Sequence, residues 1–399
     1  MAKYNFDEII DRHNTYSCKW DLVKDKDVLP LWVADMDFKV APPIQKAVED
    51  LAKHGIYGYG IVPDEYYKAI CSFHKRHYNC DISEDSIIPT PCMVGAISAI
   101  LQGLSQCADE VIVQTPAYNN FFSCIKNSGC QIVENEILYS DGVFSLDFES
   151  LEKQAQSEKA KFLLLCNPHN PTGRLWTRQE LERILAICKK HNLIVIADEV
   201  HCDIRPNGTV FTSFLNIDKS YNDRIILIRS ASKTFNTAGL KNAYIVCQNK
   251  EFLKRIDRQV NINEICDVTS FGVAATIAAY TQCDDWIIEL NDYIQENYKI
   301  LCTFIKDNYP NFKVAKLEST YLAWVDMSKL NMSSDMIKKV LLEKAKVFIN
   351  DGDMYRSPNE GFIRINLGCT HATLKEALNR FKNAHIHDFK TPQEQVQSQ

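Results

Sequence analysis

The chain reads as an α/β protein: a mostly parallel sheet with helices on both faces, plus a smaller α+β C-terminal domain. Three observations predict it. Between residues 86 and 247, short apolar runs alternate with stretches of helical period, the pattern of repeated βα units. Those runs are almost continuously apolar, as in Phe162–Cys166 and Ile225–Ile228, which is what strands covered on both faces require. Past Cys283 the pattern changes to one long helix, then strands and helices in mixed order.

The elements follow in order. Residues 1–40 carry no core pattern of their own and read as an arm that packs on another part of the chain. Ala41-Pro42-Pro43 is expected to stop regular structure before a short amphipathic helix, Ile44 to Lys53. Gly55 to Gly60 (GIYGYG) is a glycine-aromatic loop; with no strand before it and the wrong glycine order, it is not a nucleotide fingerprint. A helix from Asp64 to Tyr78 leads to a short strand at Ser86–Pro89 and a buried helix, Met93–Leu104. Strands are expected at Glu110–Gln114, Gln131–Ile137, Phe162–Cys166, Leu193–Ala197, Ile225–Ile228 and Tyr244–Cys247. Among the intervening helices, Thr177–His191 opens with a Thr-x-x-Glu capping box. The C-terminal part should hold a helix from Asp284 to Tyr309, strands at Phe312–Leu317, Tyr321–Asp326, Val347–Asn350 and Phe362–Asn366, and helices at Ser334–Lys344 and from Ala372. The division expected is an arm over 1–50 packing with the small domain, a large domain over 51–285, a small one over 286–389, and a disordered tail over 390–399.

Bulk composition excludes several classes. With 46% hydrophobic and 24% charged residues the chain is an ordinary globular one, and 399 residues suffice for two domains. A net charge of −6 argues against nucleic acid or an anionic membrane as a partner. No apolar run is long enough to span a bilayer, and the charged first residues lack a signal-peptide core, so the cytoplasm is the expected compartment. The 15 cysteines form no CxxC pair, so neither a zinc ribbon nor a thioredoxin-like motif is supported.

The chemistry gathers at strand ends, where open α/β sheets bind ligands. Ser230-Ala-Ser232-Lys233-Thr-Phe follows a buried strand, and a lysine in a dry pocket there can condense with a carbonyl. Asn167-Pro-His-Asn170-Pro-Thr-Gly173-Arg follows another as a rigid turn that fixes an asparagine. Asp198 closes a third, either as an acid in a site or as a plain helix N-cap. Tyr118 lies just past a fourth, and the start of the Met93–Leu104 helix offers free N–H groups to an anion. Lysine, acid, asparagine and aromatic ring together suit pyridoxal phosphate. This cofactor needs a Schiff-base lysine, an ionised partner for its ring nitrogen and donors for its phosphate.

With NPHNPTGR, ADEVH and SASKTFN in this order, the chain resembles the fold-type I pyridoxal-phosphate enzymes of the class I/II aminotransferase superfamily. Within it the likeness is greatest to the MalY/PatB cysteine–sulfur lyases (cystathionine β-lyase-like). FDEIIDRHNTYSCKWD, LPLWVADMDFKVAPP, YGYG, TPAYNNFF, ADEVHCDI, STYLAWVD and GFIRINLGC carry it over nearly the whole chain.

The resemblance implies that Lys233 anchors the cofactor and shuttles the Cα proton. Asp198 would pair with the ring nitrogen, Asn170 would hold O3′ and Tyr118 would stack on the ring. Ser230, Ser232 and the N–H groups of Met93 and Val94 would hold phosphate, with Tyr59 reaching the neighbouring subunit's phosphate in a homodimer. Arg364 would clamp the substrate carboxylate, with Asn170 and Ala34 beside it. Two positions depart from the wider superfamily. His201 stands where a tyrosine often donates to O3′, which fits the lyase group. Lys241 replaces an arginine on the phosphate and either anchors it as a point charge or sits in solvent; Cys92 is larger than usual before the helix. The implied reaction is α,β-elimination of L-cystathionine or related S-conjugates to pyruvate, ammonia and a thiol. Amino transfer to a 2-keto acid and a protein-binding regulatory role remain the alternatives.

Overall fold

The computed structural model describes residues 3–262 and 267–385, so the expected tail lies outside the described residues. Seven strands form the main sheet, in the spatial order Ile87–Thr90, Ala243–Cys247, Ile225–Arg229, Ile194–Asp198, Ala160–Cys166, Glu110–Thr115 and Gln131–Glu136. Neighbours are parallel except around Ala243–Cys247, which is antiparallel to both of its partners. Side chains alternate between two covered faces: Ile226 and Ile228 pack with Ile97 and Ile100, Ile225 and Leu227 with Leu163 and Val195. That double cover is why these strands read as unbroken apolar runs.

Register brings the candidate residues together at the carboxyl ends of three interior strands. Cys166 pairs with Asp198, and Asp198 with Ile228, so the turns after all three strands emerge side by side. A second sheet, ordered Lys313–Val314, Leu322–Asp326, Phe362–Asn366, Asn350–Asp351, is antiparallel throughout and sets Arg364 opposite Trp324 and Asn350. The helix Asp284–Asn308 ties it to the site, because the Trp286 indole donates to Thr234 O at 3.0 Å.

The N-terminal arm crosses between the two sheets. Leu29–Pro30 pairs in parallel with Val347–Phe348, and Phe6 packs edge-on against Phe38 and Trp286. Its sharp turns rest on a polar cluster that sequence reading missed. Arg12 bridges Asp35 (3.0 Å) and Asp37 (2.6 Å), and the fully buried Lys19 reaches Asp37 at 2.8 Å. Two cations thus share two carboxylates, and losing either cation leaves an uncompensated negative charge in the cluster, which is costly where it is buried.

Some boundaries differ from expectation. Pro42 and Pro43 do not stop the chain; they begin the helix Pro42–His54, where a missing N–H costs nothing. The strand expected at Phe312–Leu317 shrinks to Lys313–Val314, since the Glu318 and Ser319 N–H groups turn to Gly173 O instead. The helix expected to Lys344 ends as Ser334–Val340 with a π turn at Leu341–Ala345, and Val347–Asn350 splits into two short bridges. The 14 described cysteines are free thiols. Among the described residues no helix is long and apolar enough to cross a membrane.

Candidate active site

Three turns build the site. After Ala160–Cys166, the Asn167–Pro168 and Asn170–Pro171 bonds are both cis, and His169 N donates to Arg174 O at 2.7 Å across the turn. Gly173 closes it at φ +73°, where an added Cβ would sit 2.8 Å from Leu317 Cδ1 and 3.3 Å from Ser319 O. Gly173→Ala is therefore expected to destabilise the protein by roughly 1–3 kcal/mol in urea unfolding, chiefly through backbone strain, and to loosen Asn170.

Asp198 ends its strand with no helix after it, so the N-cap reading does not apply. Its Oδ1 accepts from Val200 N–H at 3.1 Å, and no cation of the described residues lies within ion-pair distance. Burial pushes its pKa up to about 6, opposed by that N–H and by Lys233. Its neighbour Glu199 points the other way and is neutralised by Arg229 Nε at 2.9 Å. Asp198 is thus a buried carboxylate in need of a positive partner.

Lys233 rises from a short turn whose flanking Ala231, Thr234 and Phe235 are buried, with Thr234 Oγ1 donating to Asp203 at 2.7 Å. Its Nζ donates to Ala34 O at 2.7 Å. Burial first, then the positive field of Arg364, lowers its pKa to about 8, against the pull of Asp35 and Asp198. His201 is buried and held well below its ordinary pKa by burial, Lys233 and Arg364; its Nδ1 has no partner among the described residues. Arg364, 4% exposed, donates to Asn170 Oδ1 (3.0 Å) and Trp32 O (2.8 Å) and stacks on Tyr355. Among the described residues its Nε has no partner and no carboxylate pairs with it.

One cavity of about 460 Å³ gathers these groups: Ala34, Tyr118, Asn170, Asp198, His201, Lys233 and Arg364 line it, with Met93, Val94, Ser230, Ser232 and Lys241 at its other end. At that end Cys92 caps the helix, its Sγ accepting from Gly95 N–H at 3.3 Å, which leaves the Met93 and Val94 N–H groups unused by the cap. Ser230 serves the turn itself: its hydroxyl donates to Asn242 O (2.6 Å) and accepts from Ser232 N–H (3.0 Å), so it offers an anion no proton as it stands. Lys241 is exposed in its left-handed position (φ 55°) but still lines the cavity. Tyr118 keeps its hydroxyl on Asn120 Nδ2 at 2.7 Å and its ring against the cavity. Tyr59 is not brought in; it is fully exposed on its loop, while Tyr57 donates to Ala52 O and packs near Phe271. Trp32, Asn350 and Tyr355 also line the cavity and were missed, because no strand-end motif marks them.

Fold and cavity together define a chain built to hold an anionic, cationic-ringed cofactor beside a nucleophilic lysine. The chain belongs to the aminotransferase class I and II family, whose model matches residues 26–381. It is 34% identical to cystathionine beta-lyase PatB of Bacillus subtilis over 95% of this chain and 99% of that protein. Among solved structures, a PLP-bound putative aminotransferase from Clostridium difficile superposes with a TM-score of 0.93 at 36% identity, covering 96% of this chain and 99% of that one. Cystalysin from Treponema denticola, which contains pyridoxal 5′-phosphate, gives 0.92 at 33% identity, covering 96% and 98%.

Proposed function

We propose that this chain is a pyridoxal-phosphate-dependent carbon–sulfur lyase that cleaves cysteine S-conjugates, L-cystathionine among them, to pyruvate, ammonia and a thiol. The observation that carries it is the joint placement in one cavity of Lys233 with Asp198 and Arg364, neither of which has an ion-pair partner among the described residues. These residues fit the cofactor: a buried carboxylate without a cation suits a protonated ring nitrogen, and free N–H groups at a helix start suit phosphate. Lys233 would anchor it, Asp198 would face the ring nitrogen, and Asn170 and His201 would lie by O3′. Tyr118 would stack on the ring, with Met93, Val94, Ser232 and Lys241 around the phosphate. When bound, pyridoxal phosphate supplies an electron-withdrawing ring that stabilises negative charge at the substrate Cα.

The chain's own groups do the rest. Arg364 turns its guanidinium to the α-carboxylate while Asn170 and the Trp32 carbonyl hold its plane. Lys233, with a pKa near 8, is a base matched to neutral pH and takes the Cα proton. The Cβ–S bond then breaks, the thiol leaves, and the three-carbon remainder hydrolyses to pyruvate and ammonia. Arg364→Lys loses the flat two-pronged grip and is expected to raise KM roughly tenfold or more, with a smaller change in kcat, in steady-state assays.

In this reading residues 51–285 form the cofactor domain, 286–389 the smaller one and 1–50 the arm; the pairing of Leu29–Pro30 with Val347–Phe348 supports placing the arm there. The active form is a homodimer, in which exposed Ile56, Tyr57, Tyr59 and Ile61 meet the second copy and Tyr59 completes its phosphate site. Product analysis tests the function: purified holoenzyme given L-cystathionine and no keto acid should release pyruvate and free thiol. Faster amino transfer to a keto acid than pyruvate release would sink the lyase reading.

A further inference from the structure

The carbonyl that receives the Lys233 amine is itself a built object. Ala34 O accepts from Lys233 Nζ at 2.7 Å and from Tyr321 Oη at 2.8 Å. The segment around it is held by several side chains. Asn366 Nδ2 holds Val33 O (2.5 Å) and Asp35 O (2.6 Å), Arg364 and Asn350 hold Trp32 O, and Asn236 holds Met36 through its N–H and its O. Tyr321 is 1% exposed, and its side chain has no hydrogen-bond partner besides Ala34 O among the described residues. Its ring stands edge-on to His201 at 6.1 Å. Burial holds its phenol far above the ordinary value, so it stays a proton donor at any working pH.

From this geometry we infer that Tyr321 is a positioning residue for the proposed reaction, setting through Ala34 O where the free Lys233 amine rests and how readily it is neutral. The inference rests on the lyase reading above. In the holoenzyme Lys233 is a free amine only after substrate has displaced it from the cofactor, and Ala34 O, which accepts from the free amine in this structure, is then the acceptor within its reach. A bare carbonyl stabilises the ammonium form more than the amine. A second donor on the same oxygen draws off part of its charge and points a positive hydrogen toward the ammonium, so it favours the neutral base. The other charges facing Nζ are Arg364 from the second sheet, Asp35 from the arm and Asp198 from the central strand, with His201 buried neutral beside them. None of them is altered by removing one hydroxyl.

The test compares two titrations of holoenzyme. In Tyr321→Phe, the basic group seen in the pH profile of kcat for pyruvate release, where Lys233 is free, should move up by roughly half a unit. The absorbance titration of resting holoenzyme, where Lys233 is bonded to the cofactor, should stay at the parent value, and KM should change little. Placing 3-fluorotyrosine at position 321 by stop-codon suppression gives a stronger donor of nearly the same shape and should move the kcat profile down. This second arm keeps the inference open to refutation even if the phenylalanine variant folds poorly. A kcat profile unmoved in both proteins, a parallel shift in the resting spectrum, or an effect confined to KM or melting temperature would overturn it. A parent enzyme that makes no pyruvate would instead overturn the lyase reading, so the two failures are distinguishable.

Discussion

Lys233→Ala is expected to lower pyruvate release by about 10⁴-fold or more, because one deletion removes both the covalent anchor and the base. The variant should still take up the cofactor from solution, since phosphate and ring contacts are made by other residues. Its absorbance should then match a noncovalent carbonyl form and shift little on adding substrate. Collapse of the turn is not expected to confuse the result: Ala231 and Phe235 remain buried, Thr234 stays bonded to Asp203, and Ala34 O keeps the Tyr321 hydroxyl. A small primary amine added to the solution fits the vacated space and should restore part of the rate. A variant retaining a tenth of parent activity would mean that another group is the base.

Asp198→Ala is expected to cost on the order of 10³-fold in kcat with little change in KM, the mark of a charge that acts as the Cα proton leaves rather than in binding. The same residue makes a second, independent prediction for the cofactor-free protein. There its pKa stands at about 6 against an ordinary 3.8. A carboxyl raised in this way contributes stability that is complete below its unfolded value and is lost as pH rises through the folded one. Above pH 6 the empty fold therefore carries a buried charge with no ion-pair partner. Asp198→Asn removes that burden, and the cofactor-free variant should melt several degrees above the cofactor-free parent at pH 8. The difference should shrink as pH falls through 6 toward 4. Equal melting temperatures across that range would show that the carboxylate is already satisfied, and the pairing assigned to it would fail.

Much of the fold was legible because both sides of the central sheet are covered. Runs such as Ile225–Arg229 must then be apolar throughout, and the capping box at Thr177 and Glu180 forms as its spacing predicts, with both halves bonded. Legibility fell where neighbours in space decide. Val347–Phe348 has two residues of pairing because its partner is the distant Leu29–Pro30, and the segment after Lys313–Val314 leaves the sheet to give its Glu318 and Ser319 N–H groups to Gly173 O. Of the site, Lys233, Asp198 and Asn170 follow strands and announce themselves. Arg364 lies in mid-strand and came only from family likeness, while Trp32, Asn350 and Tyr321 came only from the folded chain.

By itself the sequence determined what each segment is and which residues have the chemistry: a sheet of buried strands, a lysine, an acid and an asparagine at their ends, a family. Local patterns decide such things, since periodicity and turn residues act within a few positions along the chain. Only the tertiary structure decided the state those residues are in. That neither Asp198 nor Arg364 meets an ion-pair partner among the described residues depends on packing, and Lys233 shares the Ala34 carbonyl with Tyr321 across 199 and 287 positions of sequence separation. Protonation follows burial and nearby charge, and neither is written in any one stretch.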